Sequence, residues 1–165
     1  MVYRALEITP PFFEIGPKAY MYGSELVALA KQADALGRAY GVQVILTPQA
    51  VDIAAVAREV ETLLVFAQHM DALEPGRGVG SVLPEAVRAA GAVGVLLNHV
   101  ERRLTHDELE RTMRRADEVG LATMVCADDA SHAVSIAGPS PNVIIVEAPL
   151  LSAGGRRDDS GRRGW

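Results

Sequence analysis

The sequence predicts an α/β protein built on a parallel sheet, with about six strand–helix units in one domain. Short apolar runs rich in Val, Ile and Leu alternate with longer segments of helical periodicity, which is the pattern of βαβ units. The strands are apolar on both faces, as expected when both faces of a sheet are covered. A chain of 165 residues can bury one sizeable core. The residues alone leave two architectures open, a closed barrel and a doubly wound open sheet.

Three strands are predicted in the first half of the chain, over residues 12–16, 42–48 and 63–67. The first helix is predicted from Ser24, a suitable N-cap, to Tyr40, and Gly41 ends it. Its apolar stripe has four members, Leu26, Ala30, Ala33 and Leu36. A shorter helix is predicted over 52–59. The Gly and Pro content of 74–80 predicts a loop, and Pro84 fits the first turn of a helix that runs to Ala90.

Three further strands are predicted in the second half, over residues 94–97, 122–126 and 143–146. The helix over 105–119 is strongly indicated, because Thr105 and Glu108 have the spacing of a capping box and Gly120 follows its last turn. A short helix is predicted over 129–137.

Composition excludes several classes of function. The net charge is −5 and no face is consistently basic, so we expect no nucleic-acid partner. No apolar run approaches the ~20 residues of a membrane helix, and the N-terminus lacks the apolar core of a signal peptide. The single cysteine, Cys126, excludes an internal disulfide and fits a reducing compartment. We therefore expect a soluble, cytoplasmic protein.

Polar side chains follow several of the predicted strands, where a parallel α/β fold places its active site. The fourth strand ends in Asn98-His99, within GVLLNHVERR. The other strand-end residues are Lys18, Gln68, His69, Asp128 and Glu147. A lysine, a histidine and a glutamate on one rim would suffice for proton chemistry beside an anionic substrate. Residues at strand ends are also often no more than the solvated starts of loops.

Other groups of residues give weaker evidence for a functional site. His69 with Asp71, or His99 with Glu101, could begin a metal site, but no third ligand has diagnostic spacing, so no metal is expected. The glycines within 76–80 lack the Gly-Lys-Ser/Thr sequence and the preceding strand of a phosphate loop. Cys126 lies in an apolar strand and is expected in the core rather than as a nucleophile. Three arginines on the helix over 105–119 are expected on a solvated, salt-bridged face: Arg111, Arg114 and Arg115.

Four segments together resemble the triosephosphate isomerase family, in particular its archaeal branch and close bacterial relatives. The two long segments are FAQHMDALEPGRGVGSVLPEAVRAAGAVGVLLNHVERRL and RRADEVGLATMVCAD. IGPKAY is similar to the family's first-strand Asn-x-Lys motif, and VIIVEAP to the strand that carries its glutamate. The resemblance covers about residues 12–150 and implies a (β/α)₈ TIM barrel.

By this resemblance Lys18 would bind substrate, His99 would be the electrophile and Glu147 would be the catalytic base. Glu101 would support Lys18 without contacting substrate. The implied reaction is the interconversion of dihydroxyacetone phosphate and glyceraldehyde 3-phosphate through an enediolate, as used in glycolysis and gluconeogenesis, with no cofactor. A homo-oligomer is implied for the full-length protein. Gly16 and Val100 stand where the family has Asn and Ser, and phosphate-binding residues stay unassigned.

The chain is shorter than the about 250 residues of a complete barrel. The sequence therefore predicts a partial barrel over 1–152 and an irregular tail over 153–165, read as disordered or as the product of a shifted reading frame. An incomplete barrel is expected to be weakly active or inactive. The alternatives are an isomerase for another small phosphorylated ketose and a non-catalytic barrel fragment.

Overall fold

The computed structural model describes residues 6–147, and within that range six parallel strands form one sheet. The strands are β1 Phe12–Ile15, β2 Gln43–Leu46, β3 Leu64–Ala67, β4 Gly94–Leu97, β5 Ala122–Ala127 and β6 Val143–Val146. The helices between them are α1 Gly23–Tyr40, α2 Ile53–Ala57, α3 Pro84–Ala89, α4 His106–Val119 and α5 Ala130–Ala137. The segment after Glu147 and the predicted tail over 153–165 lie outside the described residues.

The order of the strands decides between the two architectures that the sequence left open. Every strand pairs in parallel with its neighbour along the chain, giving the order β1-β2-β3-β4-β5-β6. A doubly wound sheet reverses its strand order at a switch point, whereas a barrel adds each strand beside the previous one. The described residues therefore form six consecutive strands of a barrel-type sheet.

The two faces of the sheet bury different clusters. The outer cluster joins α1 and α4 to the sheet through buried residues such as Leu26, Ala30 and Leu109. The inner cluster has Ile45, Phe66, Ala122 and Met124 at its centre, drawn from β2, β3 and β5. Successive side chains of a strand point to opposite faces of the sheet. Because both faces are buried against a cluster, the strands are apolar on both faces.

Several local predictions are confirmed. Both β4 and β6 have the predicted bounds, and Pro84 opens α3 at its first position. Thr105 accepts a hydrogen bond from the backbone N–H of Glu108, while the Glu108 side chain accepts one from the backbone N–H of Thr105. Gly120 ends α4 with φ of 76°, a left-handed conformation that glycine adopts without strain.

The prediction for α1 is wrong in two details. The helix begins at Gly23 after Tyr22, so Ser24 lies inside the first turn and is not the N-cap. Leu36 is 57% exposed, whereas Gly37 is buried. A Cβ on Gly37 would lie 2.7 Å from the carbonyl oxygen of Val42, so the helix packs against the start of β2 through its backbone. This close approach turns Leu36 toward solvent.

The prediction for Arg115 is right about its salt bridges and wrong about its exposure to solvent. Its side chain is only 14% exposed and bridges Glu85 of α3 at 2.5 Å and Glu118 of α4 at 2.6 Å. Its Nε also donates to the carbonyl oxygen of Leu73 at 3.2 Å. A charged helix face predicted to be solvated thus contains a tertiary contact between α3, α4 and the preceding loop.

Candidate functional site

A cavity of about 490 Å³ opens at the carboxyl ends of the strands. Six residues singled out from the sequence line it: Lys18, Gln68, His69, His99, Glu101 and Glu147. Because these residues come from both edge strands of the described sheet and from β3 and β4 between them, the sheet must curve around the cavity. The structure therefore brings together side chains that are up to 129 positions apart (147 minus 18).

Gln68 positions the backbone of Lys18. After β1, Lys18 adopts φ of 51°, and the carbonyl oxygen of Pro17 accepts a hydrogen bond from the backbone N–H of Tyr20 at 3.1 Å. The Gln68 side-chain amide donates to the carbonyl oxygens of Lys18 and Thr47, both at 2.9 Å. A left-handed backbone at a residue other than glycine is uncommon and is held in place by its surroundings. Gln68 supplies that restraint from the end of β3.

The Lys18 ammonium donates to Glu101 Oε1 at 2.8 Å. The hydrogen bond from Lys18 and its positive charge hold the pKa of Glu101 below its usual range, although burial acts in the opposite direction. Lys18 is 30% exposed and lies on the cavity wall, so its charge faces the space where a substrate would bind.

The orientation of His99 follows from its contact with the backbone that comes after it. The N–H of Glu101 donates to His99 Nδ1 at 3.2 Å. A ring nitrogen that accepts a hydrogen bond carries no proton, so the imidazole is neutral in this arrangement and its proton sits on Nε2. His99 lines the cavity and can therefore offer one N–H donor there.

Asn98 has a structural function. It is 3% exposed and adopts φ of 59°, a conformation that Asn tolerates better than most residues. Its amide donates to the carbonyl oxygen of Cys126 at 3.0 Å, and its Oδ1 accepts from the N–H of Leu104 at 3.1 Å. Asn98 thus ties β4 to β5 and turns the chain so that His99 emerges at the rim.

Two other strand-end residues behave differently from Lys18 and His99. Asp128 pairs with Arg103 and is absent from the lining of the cavity. His69 lies beside Asp71, with Nε2 and Oδ1 3.1 Å apart, and burial lowers the pKa of this imidazole despite the nearby carboxylate. Within residues 6–147 no group of three or more His, Cys, Asp or Glu side chains has the geometry of a metal site.

Glu147 follows β6 directly, and its backbone N–H donates to the carbonyl oxygen of Ala127 at 2.9 Å. This bond extends the β5–β6 pairing by one residue and places the half-buried Glu147 on the cavity wall. Cys126 lies below it in β5 and is buried, as predicted. Burial, reinforced by the charges of Glu147 and Glu14, raises the pKa of the Cys126 thiol to about 12.

Sequence reasoning missed Glu14 and Thr47. Glu14 lies in the middle of β1 and lines the cavity, where Oε1 accepts a hydrogen bond from Thr47 Oγ1 at 2.8 Å. Burial raises the pKa of Glu14; the hydrogen bond from Thr47 opposes that effect and the charge of Glu147 adds to it. A charged residue inside the apolar run FFEI, two positions before Gly16 and so on the same face, was the signal.

The arrangement combines a cation, a neutral N–H donor and a carboxylate around one cavity. Such a set can hold an anionic substrate, stabilise an oxyanion and move a proton at carbon. In the described part of the chain, no helix is both long and apolar enough to cross a membrane.

Comparisons with known proteins show one family to which the chain is similar. A family model described as triosephosphate isomerase matches residues 14–143. A triosephosphate isomerase of Sulfurisphaera tokodaii is 38% identical over 149 residues, which are 89% of this chain and 65% of that protein. The triosephosphate isomerase of Methanobacterium bryantii is 38% identical over 133 residues, 81% of this chain and 58% of the relative. That of Methanosarcina acetivorans is 36% identical over 147 residues, 88% of this chain and 66% of the relative.

The fold has a counterpart among solved structures. The crystal structure of triosephosphate isomerase from Bartonella henselae superposes with a TM-score of 0.67 at 18% identity, covering 84% of this chain and 67% of that one. The likeness extends to the arrangement of strands and helices. The chain spans 58% to 66% of the length of the three curated relatives compared above.

Proposed function

We propose that this chain, which belongs to the triosephosphate isomerase family, carries the proton-transfer site of an isomerase for dihydroxyacetone phosphate and glyceraldehyde 3-phosphate. The observation that carries the proposal is the linked geometry of Lys18, Glu101 and His99. One residue, Glu101, accepts from the Lys18 ammonium through its side chain and donates to His99 Nδ1 through its backbone. This linkage sets the cation and the neutral donor in fixed relation on one wall of the cavity.

The chemistry would proceed in two proton transfers. The Glu147 carboxylate removes a proton from the carbon beside the substrate carbonyl, and the electron pair moves onto oxygen to give an enediolate. The same carboxyl then returns the proton to the neighbouring carbon. Besides these two transfers at carbon, the hydroxyl proton of the first carbon passes to the oxygen of the second, so that the new carbonyl forms on the first carbon. Triosephosphate isomerase is itself the established example of a glutamate base working with a neutral histidine.

His99 and Lys18 would lower the barrier by different means. The His99 Nε2–H donates to the oxygen on which negative charge develops, so its effect is largest in the transition state. Lys18 offers a fixed positive charge to the anionic substrate at every stage. Gln68 would maintain the Lys18 backbone without touching substrate.

The test compares site variants in a host that lacks its own isomerase. Because the chain spans about two thirds of its relatives, we would also join residues 1–147 to the C-terminal third of the Sulfurisphaera tokodaii relative. We expect the chimera to isomerise dihydroxyacetone phosphate. Glu147→Asp and His99→Gln should each lower kcat by about a hundredfold or more with smaller changes in KM. Lys18→Met should impair both parameters.

Glu25→Gln is the matched control, since Glu25 is exposed on α1 and outside the lining of the cavity. Retained kcat in Glu147→Ala would refute the assignment of the base. A folded chimera that isomerises no small phosphorylated aldose–ketose pair would refute the proposal and favour a non-catalytic fragment. A clear preference for a four- or five-carbon sugar phosphate would instead indicate the second candidate, an isomerase of a longer ketose, which the extra carboxyl of Glu14 in the cavity favours.

The 165-residue chain by itself should turn over slowly or not at all. Much of the binding energy that holds a sugar phosphate still comes from its non-reacting phosphate. No phosphate-gripping residue is assigned within 6–147. We further propose a cytoplasmic, glycolytic setting and, for the full-length protein, self-association. Sedimentation would test the last point.

A further inference from the structure

We propose that Glu14 is a second substrate-binding carboxyl of this site, seated in space that Gly16 leaves open, where it binds an oxygen of the sugar phosphate. The inference rests on the proposed function, and it concerns a residue for which neither the family motifs nor the comparisons provide a role.

The position of Glu14 calls for an explanation. It lies on the inner face of β1, paired in register with the buried Ile45 of β2. Apolar lining residues of the same cavity include Leu96 and Ile145. A carboxyl group among apolar neighbours is costly unless it is neutral or well hydrogen-bonded. An aliphatic residue would fill this position in a strand at less cost, so the carboxyl is a candidate for a functional group.

Glycine at position 16 is what makes room for this carboxyl. A Cβ built on Gly16 would lie 3.1 Å from Glu14 Oε1, 3.5 Å from Oε2 and 3.6 Å from Thr47 Oγ1. Both carboxylate oxygens therefore lie over the Gly16 backbone, at the level of the cavity. A side chain at position 16 would therefore crowd the carboxyl of Glu14, which would have to shift to make room for it.

The hydrogen bonds of Thr47 indicate how this carboxyl would act. The hydroxyl has a single proton and two acceptors within reach, Glu14 Oε1 at 2.8 Å and the carbonyl oxygen of Ile15 at 3.2 Å. The contact with Glu14 is the shorter of the two, so the hydroxyl holds the Glu14 carboxyl in place on the cavity wall. Burial raises the pKa of Glu14, and with the charge of Glu147 it outweighs the opposite effect of this hydrogen bond.

A carboxyl group at this place suits the hydroxyl groups of a sugar phosphate. Its oxygens can accept hydrogen bonds from a substrate hydroxyl, while Thr47 holds one of them in place from the cavity wall. The ionisable groups that share the cavity wall are Lys18, His69, His99, Glu101, Arg102, Cys126 and Glu147. Among the carboxyl groups of this set, Glu101 is paired with Lys18, and the charge of Glu147 is the one that acts on Glu14. Glu14 thus differs in function from Glu147. Glu14 binds an oxygen of the substrate, whereas Glu147 moves the proton.

The direct test is NMR of the purified chimera described above, labelled with ¹³C at glutamate carboxyl carbons. The Glu14 resonance is identified by its loss in Glu14→Gln, and the Glu147 resonance by its loss in Glu147→Asp. We expect dihydroxyacetone phosphate to shift the Glu14 resonance saturably and inorganic phosphate to leave it unmoved. A Glu14 resonance that stays fixed while that of Glu147 shifts overturns this inference and leaves the proposed function standing. If neither resonance responds, both fail.

Substitutions at positions 14 and 16 of the same chimera provide the second test, and the quantity measured is the Kd for dihydroxyacetone phosphate. Glu14→Ala should weaken binding three- to tenfold, the range of one hydrogen bond. Glu14→Gln keeps hydrogen-bonding atoms at this position and should weaken binding less than Glu14→Ala does, whereas the exposed control Glu25→Gln should leave Kd unchanged. Gly16→Asn alone should weaken binding because its side chain collides with the carboxyl. The double variant Glu14→Ala/Gly16→Asn should bind more tightly than either single variant.

If Glu14 had only a structural role, the losses of affinity in Glu14→Ala and Gly16→Asn would multiply in the double variant. That result would overturn the inference. An equal loss of affinity in Glu14→Gln and Glu14→Ala would show that hydrogen-bonding atoms at this position do not matter, and it would also overturn the inference.

Discussion

Asp34 holds the segment that leads into β3, and its replacement should cost measurable stability. This residue of α1 is 3% exposed. Its carboxylate accepts the backbone N–H groups of Glu61 at 3.1 Å, Thr62 at 2.9 Å and Leu63 at 2.7 Å, and the Thr62 hydroxyl at 2.8 Å. Arg38 lies 3.5 Å away and adds a partly exposed ion pair.

The pKa of Asp34 sets the magnitude of the effect. Burial alone raises the pKa of Asp34, but the hydrogen bonds from Thr62, Glu61 and Leu63 outweigh burial and lower it from 3.8 to about 2. That difference corresponds to about 2 kcal/mol of stability at neutral pH. Because the pKa is lower in the folded state, this contribution is fully present well above pH 3.8. It is lost as the pH falls through about 2.

Asp34→Asn removes the charge and one acceptor, so we expect the free energy of unfolding at pH 7 to fall by about 2 kcal/mol. Urea unfolding followed by circular dichroism measures it. The difference between wild type and variant should narrow when the pH is lowered from 7 toward 3. Glu74→Gln, an exposed change in the loop over 74–80, should have no such effect. A difference below about 0.5 kcal/mol, or one independent of pH, would refute this reasoning.

Three further predictions concern packing, an ion-pair network and a thiol. Gly94→Ala should cost about 1–3 kcal/mol in urea unfolding, because its Cβ would overlap the Phe66 ring. Adding Phe66→Leu should recover part of the loss. Arg115→Gln should lower the free energy of unfolding by about 1 kcal/mol, a modest loss because solvent screens its partly exposed partners. Arg111→Gln should leave the free energy of unfolding unchanged. Cys126, with a pKa of about 12, should react slowly with iodoacetamide at pH 8 in the folded protein and quickly in urea.

Each of these predictions has a contrary outcome. An additive loss in the Gly94/Phe66 pair would show that the ring is not the obstacle. Equal stability of the Arg115 and Arg111 variants would show that the ion pairs between α3 and α4 contribute no more than an exposed ion pair. Equal alkylation rates of Cys126 in the folded and unfolded protein would show that the thiol is accessible in the cavity.

The candidate site was partly accessible from sequence because a parallel sheet presents the ends of its strands on one rim. Lys18, His99 and Glu147 each follow a recognisable strand, and the structure places all three on one cavity. Asp128 follows a strand just as clearly, yet it turns to Arg103 instead. The direction of a side chain at a loop start depends on partners distant in sequence, which periodicity does not reveal.

The sequence by itself determined the alternation of strands and helices, the bounds of β4 and β6, and the capping box at Thr105 and Glu108. These features depend on residues within a few positions of one another, so local propensity and hydrogen bonding suffice to specify them. Only the tertiary structure decided the order of the strands and the ion pair between Lys18 and Glu101, which are 83 positions apart. It also decided the position of the Glu14 carboxyl over Gly16. Each of these depends on which segments pack together, and that choice is made by the burial of the whole core, which no short stretch of sequence contains.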